Sequence, residues 1–115
     1  MTVTPYGSVA IVGVGLLGGS LGLALKKKDL AKRIVGVGRR ERSLLAALRM
    51  GLVDETYLSL DACSGVDLAV LCTPAASIPG QLEALARLGN PPRAITDVAS
   101  TKSAICDHSV QVFAA

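Results

Sequence analysis

Apolar residues in this chain come in short unbroken runs, each closed by glycine, proline or charge. Ser8-Val-Ala-Ile-Val12 ends at Gly13, and its length and β-branching predict a buried strand. Gly13 to Gly19 reads as a turn. Leu16 to Lys28 then carries Leu17, Leu21, Leu23, Ala24 and Leu25 and closes on three lysines, a helix with cations where its dipole favours them. Arg33-Ile-Val-Gly-Val37 predicts a second strand, and Glu41 to Met50 a second helix stopped by Gly51. Thr56 to Leu60 is a short third strand. Asp67-Leu-Ala-Val-Leu-Cys72 is a fourth, broken by Thr73-Pro74. A helix over Ile78 to Leu88, a turn at Gly89-Asn-Pro-Pro92, a strand at Ala94-Ile-Thr-Asp97 and a last helix from Thr101 to about Val112 complete the series.

The order is β-α-β-α-β-β-α-β-α, and the strands are continuously apolar rather than alternating. Strands of that kind are covered on both faces, so the expected architecture is α/β, a parallel sheet with helices on each side. The length of 115 residues suits one domain. Half of the residues are hydrophobic, with one Phe, two Tyr and no Trp, so the core must be aliphatic. Twelve glycines exceed the average of ~7% and point to tight turns or close backbone contacts.

The formal net charge of +3 suits an anionic ligand, but no basic run is dense enough for nucleic acid. Cys63, Cys72 and Cys106 have no CxxC spacing and read as reduced thiols of a cytosolic protein. With a single His they are too few and too scattered for zinc, so no metal is expected. The start MTVTPYGS lacks the pattern of a signal peptide, and no apolar stretch reaches the ~20 residues of a membrane span. The chain therefore reads as soluble and cytoplasmic. Its tail, Gln111-Val-Phe-Ala-Ala115, carries no stop signal, which suggests that it ends within a longer protein.

The candidate chemistry begins at Gly13-Val14-Gly15-Leu16-Leu17-Gly18. A lone GxGxxG is weak, but this one follows a strand and opens a helix. Gly13 permits the sharp turn, Gly15 lets the backbone approach a pyrophosphate, and Gly18 lets the helix pack on the sheet. The free N–H groups at the helix start, Leu16 and Leu17 among them, then face the anion. Gly19, Ser20 and Gly22 extend the small face and read as helix–sheet packing. The competing reading is a glycine-rich turn that binds nothing.

At the end of the second strand, Val37-Gly38-Arg39-Arg40 stands where an NAD site places an Asp or Glu for the ribose hydroxyls. Two arginines pair with a 2′-phosphate, so NADP is preferred over NAD. Ser43 adds a phosphate contact if it lies on the first turn of the second helix. Alternatively, Arg39 and Arg40 are solvated surface charge, or one stacks on the adenine. Cys72-Thr73-Pro74 ends the fourth strand at the carboxyl edge, where a doubly wound sheet binds its ligand. These residues either line the nicotinamide ribose side or form a plain strand-to-helix turn. Asp97-Val-Ala-Ser-Thr-Lys102 follows the fifth strand at the same edge. Ser100 there either caps the last helix or joins the site, and Lys102 points near the cleft.

Taken together, Val12-Gly-Val-Gly-Leu-Leu-Gly-Gly-Ser-Leu-Gly22, Gly51-Leu-Val-Asp54, Cys72-Thr-Pro74 with Ile78-Pro79, and Thr96-Asp-Val-Ala-Ser-Thr-Lys102 resemble the prephenate and arogenate dehydrogenases of tyrosine biosynthesis. The likeness runs from about Val9 to Ser109. It implies a Rossmann-type doubly wound parallel sheet with helices on both faces, and an NADP or NAD cofactor. It also implies oxidative decarboxylation of prephenate or arogenate, in which a hydride passes to nicotinamide and carbon dioxide leaves. Ser100 matches the family serine that contacts the oxidised ring hydroxyl, and Lys102 matches the motif lysine. The family's His-Pro-Met-Ala-Gly segment, with the His that serves as general base, is absent. His108, followed by Ser-Val, does not fit and reads as a surface histidine. The helical second domain that builds the dimer and most of the substrate pocket is absent too. Residues 1–115 are thus expected to be a cofactor-binding domain, catalytically incomplete, from a homodimeric enzyme that binds neither nucleic acid nor membrane. Two other readings share the motif: the cofactor domain of another two-domain dehydrogenase or imine reductase, and a nucleotide-sensing module without redox chemistry.

Overall fold

The structure is a computed structural model that describes residues 6–98, without the side chains of Leu16 and Leu17. The expected last helix, with Ser100, Lys102, Cys106 and His108, lies outside the described residues. Five strands form one parallel sheet: β1 (Tyr6–Val12), β2 (Ala31–Val37), β3 (Glu55–Tyr57), β4 (Leu68–Leu71) and β5 (Ala94–Asp97). Their spatial order is β3-β2-β1-β4-β5. Three helices connect them: α1 (Leu16–Lys27), α2 (Glu41–Arg49) and α3 (Ile78–Ala86). The chain steps outward from β1 through β2 to β3, then crosses back to lay β4 on the other side of β1. The doubly wound α/β expectation holds, and the switch in direction falls between β1 and β4.

Alternate residues of each inner strand feed two separate cores. Ala10, Val12, Val35, Val37, Ala69 and Leu71 pack with Ile78, Leu82 and Leu85 of α3 and with Cys63. Val9, Ile11, Ile34 and Val70 pack on the opposite face with Leu25 of α1, Leu44 and Ala47 of α2, and Val53. A strand buried on both sides has no polar face to display, which is why these runs read as unbroken.

Several boundaries differ from the sequence expectation. β1 begins at Tyr6 rather than Ser8, and β2 at Ala31 rather than Arg33, because pairing extends to Tyr6↔Ala31. β4 starts at Leu68 because the Asp67 carboxylate turns back on β1, accepting from Gly7 N at 2.7 Å and Ser8 N at 3.2 Å. β3 stops at Tyr57, not Leu60. Ser59 Oγ accepts from Asp61 N at 3.1 Å and starts a 3-10 turn over Leu60–Cys63. The helices α1, α2 and α3 end one or two residues early, at Lys27, Arg49 and Ala86. No helix among the described residues is long and apolar enough to cross a membrane.

The Gly51-Leu-Val-Asp54 segment fastens α1 to the sheet. Gly51 adopts φ +72° just past α2. Leu52 then lies over α1, so close that a Cβ on Gly22 would come within 2.3 Å of its carbonyl oxygen and one on Gly19 within 3.1 Å of its Cδ1. These glycines therefore seat the helix mainly on this loop, not on the sheet as expected. Asp54 closes the contact. Its Oδ2 accepts from Ile34 N at 2.9 Å, its own N–H donates to Ile34 O at 2.8 Å, and its Oδ1 takes Lys26 Nζ at 2.7 Å.

Two predictions follow from this packing. Gly22→Ala is expected to destabilise by about 1–3 kcal/mol despite alanine's better helix propensity, because the obstructing atom is backbone. Gly80→Ala in α3, where a Cβ meets nothing within 4 Å, is expected to stabilise by about 0.5–1 kcal/mol. Urea unfolding of both variants is the check, and a neutral Gly22→Ala contradicts the tight seat.

A third concerns acid. Burial opposes ionisation of Asp54, but the Lys26 and Ile34 hydrogen bonds outweigh it and hold the carboxyl below its ordinary value. A carboxyl lowered by folding contributes stability that is complete above its unfolded pKa of ~3.9 and is lost as pH falls through the folded value. Urea midpoints are therefore expected to drop below about pH 4, and less steeply in Asp54→Asn. Parallel acid limbs for both proteins would exclude this role.

Candidate functional site

Three strand ends converge at the switch point. Gly13, directly after β1, has φ +90°, a conformation that only glycine adopts without strain. Its N–H donates to Val37 O of β2 at 2.7 Å, while Cys72 N after β4 donates to Val12 O of β1 at 2.8 Å. A Cβ on Gly13 would stand 2.7 Å from Thr73 Cγ2 and 3.0 Å from Cys72 O. The turn thus fits against the loop after β4 only without a side chain.

Gly18 makes the complementary contact on α1. A Cβ there would meet Gly13 O at 2.4 Å and Ile11 Cγ2 at 3.1 Å. The start of α1 is consequently drawn down over the end of β1. Gly15 differs from both, since a Cβ would meet nothing within 4 Å. It is the N-cap of α1, with no side-chain cap and no acidic residue in the first turn. The first N–H groups of a helix have no partner within it. Here no described side chain caps them, and a Cβ at Gly15 would meet no described atom within 4 Å. A phosphate group fits that arrangement in both charge and space.

A cleft of about 700 Å³ opens over this turn. Gly13, Val14 and Gly15 form its floor. Gly38, Arg39, Arg40 and Ser43 line one end, beyond β2, with Leu58 beside them; Cys72, Thr73, Pro74, Ser77 and Gln81 line the other, beyond β4. None of the described lining residues is acidic. Arg40 is the N-cap of α2 and Ser43 lies in its first turn, as expected. Arg39 and Arg40 are exposed, and neither forms an ion pair with a described residue. Burial pushes the Cys72 thiol up to about 11, so it is neutral at ordinary pH. Thr73 Oγ1 donates to Gln81 Oε1 at 2.6 Å.

Nine of the expected cofactor positions share this cleft: Gly13, Gly15, Gly38, Arg39, Arg40, Ser43, Cys72, Thr73 and Pro74. Leu16 and Leu17 open α1 beneath it, although their side chains lie outside the description. Gly18 does not line the cleft; it is buried and shapes the turn from behind. Asp97 is 8% exposed at the end of β5 and is not brought to the cleft either. Sequence reasoning missed Leu58, Ser59, Ser77 and Gln81. No periodicity marked the last pair: Gln81 lies in α3, but Ser77 precedes it as the N-cap. No cluster of His, Cys, Asp or Glu suited to a metal occurs among the described residues.

Comparison with known proteins agrees with this geometry. Residues 21–114 match the family model described as prephenate dehydrogenase, nucleotide-binding domain. Prephenate dehydrogenase of Bacillus subtilis is 38% identical over 109 residues, covering 91% of this chain but 29% of that protein. The crystal structure of Synechocystis arogenate dehydrogenase superposes with a TM-score of 0.83 at 34% identity, over 92% of this chain and 37% of that one. Prephenate dehydrogenase from A. aeolicus, solved in complex with hydroxyphenyl propionate and NAD+, gives a TM-score of 0.83 at 25% identity, over 92% of this chain and 38% of that one. The chain thus spans well under half the length of each of these relatives. A glycine turn at the β1–β4 switch and a family match over most of the sequence lead to one assignment: the chain belongs to the prephenate dehydrogenase nucleotide-binding domain family.

Proposed function

We propose that this chain is the NAD(P)-binding domain of an enzyme that oxidatively decarboxylates prephenate or arogenate in the cytoplasm. The uncapped start of α1 over the β1–β4 switch carries the reading, within a family whose model is a dehydrogenase nucleotide-binding domain. The NAD+ complex of the A. aeolicus relative supports the cofactor class. Bound there, the cofactor supplies the hydride acceptor.

The chain's own residues bind and orient it. The amides at Gly15, Leu16 and Leu17 hold the pyrophosphate, and Gly15 lets the backbone come close. Arg39 and Arg40, with Ser43 beside them, take a 2′-phosphate, and no described residue lining the cleft is an acid that would repel it. NADP is therefore preferred to NAD. Cys72, Thr73 and Pro74 line the nicotinamide side. Ser100 contacts the substrate hydroxyl, with Lys102 nearby. The general base, most of the substrate pocket and a dimer interface belong to a helical domain outside this chain, so the chain alone binds cofactor without turnover.

Titration of NADPH fluorescence with the chain is expected to saturate. No saturable change at high micromolar protein contradicts the reading. Gly15→Ala separates binding from folding: as an N-cap change it should cost the fold less than about 1 kcal/mol and leave it folded, while NADPH affinity falls on the order of tenfold, or ~1.4 kcal/mol. Replacing Arg39 and Arg40 together by Ala is expected to weaken NADP by about tenfold or more and to leave NAD nearly unchanged, since charge-assisted bonds to the phosphate are lost. A wild-type chain that binds NAD at least tenfold tighter than NADP would reverse the assignment of the two arginines.

A further inference from the structure

The geometry points to Gln81 as a positioning residue that, with Thr73, reads the carboxamide of the nicotinamide; this rests on the cofactor reading above. The cleft runs from the arginines beyond β2, across the Gly13–Gly15 floor, to Thr73 and Gln81 beyond β4. A dinucleotide whose pyrophosphate lies on the floor and whose adenosine end lies at the arginines must send its other end toward this pair.

Thr73 is held in one orientation by two contacts. Its methyl lies against the bare face of Gly13, where a Cβ would stand 2.7 Å away. Its hydroxyl proton is given to Gln81 Oε1 at 2.6 Å. A hydroxyl has one proton and two lone pairs, so the oxygen now offers only acceptor capacity to the cleft. Gln81 has used its carbonyl on Thr73 and retains an NH2 group with two donors. An acceptor and a donor stand side by side, the complement of a carboxamide's NH2 and C=O. Without Gln81 the Thr73 hydroxyl can rotate and present its proton instead, which mismatches the amide.

The probes are NADP+ and ADP-ribose, which lacks only the nicotinamide among the parts near this end. Gln81→Met and Thr73→Val each keep the side-chain shape and delete the polar pair. Each is expected to weaken NADP+ by about three- to tenfold, the range for one lost hydrogen bond, and to leave ADP-ribose unchanged. The double variant should lose little more than the worse single one, because both changes break the same unit. Unchanged ADP-ribose binding also reports an intact fold. Equal losses on both probes, additive losses, or no loss on NADP+ would each overturn the proposal. If wild type binds neither probe, the cofactor reading itself falls and this inference falls with it.

Discussion

The approach of Gly18 to the carbonyl of Gly13 sets the geometry of this domain. A methyl group at position 18 would stand 2.4 Å from that oxygen, well inside any tolerable contact. With hydrogen in its place, α1 begins directly over the end of β1, at the cleft that Gly13, Val14 and Gly15 line between the ends of β2 and β4. Glycine is costly here, since each one ordered in a helix loses about 0.5–1 kcal/mol relative to alanine. The return is positional. Backbone amides and dipole act over a single turn, so a helix start displaced by one side chain would lose much of its hold on a bound anion.

A second restraint acts further along the same helix. Gly22 receives the Leu52 carbonyl, and Lys26 reaches Asp54, which is itself bonded to β2 through Ile34. The helix is thus pinned to the turn at its start and to the loop before β3 at its end. That explains why a segment as plain as Gly-Leu-Val-Asp accompanies the glycine turn. Leu52 covers the helix, Val53 is 2% exposed in the core, and Asp54 joins helix to strand.

Much of this was legible in the sequence because the sheet is parallel and buried. Continuous runs such as Val9–Val12 and Leu68–Leu71 mark strands whose two faces both meet helices, and the glycine spacing marks the turn between strand and helix. What escaped depended on side chains that bond across the fold. Asp67 looks like the first residue of a strand until its carboxylate is seen to bind the β1 amides. Ser59 continues an extended run until its hydroxyl takes the Asp61 amide and bends the chain. Gln81 is an ordinary polar helix residue until the rotation of α3 places it beside Thr73. None of these contacts leaves a periodicity, so no pattern along the chain announces them.

The cleft's charge distribution is itself a specificity argument. Arg39 and Arg40 stand exposed at one end, the uncapped helix start supplies positive potential at the centre, and the described residues of the far end, Thr73, Ser77, Gln81 and Cys72, are neutral. Burial keeps that thiol protonated, so no charge develops there at ordinary pH. On the proposed reading, the arginines and the helix start favour a ligand that is anionic at one end and in the middle, while the described residues of the other end place no charge against it. Mononucleotides and inorganic phosphates satisfy part of that pattern, and the nicotinamide dinucleotide proposed above satisfies more of it. On that reading charge sets the ligand's orientation before any hydrogen bond at the far end is made. On the proposed reading, Arg39 and Arg40 at one end and Thr73 at the other together present a single end of an asymmetric molecule to the edge of the sheet where β4 stops.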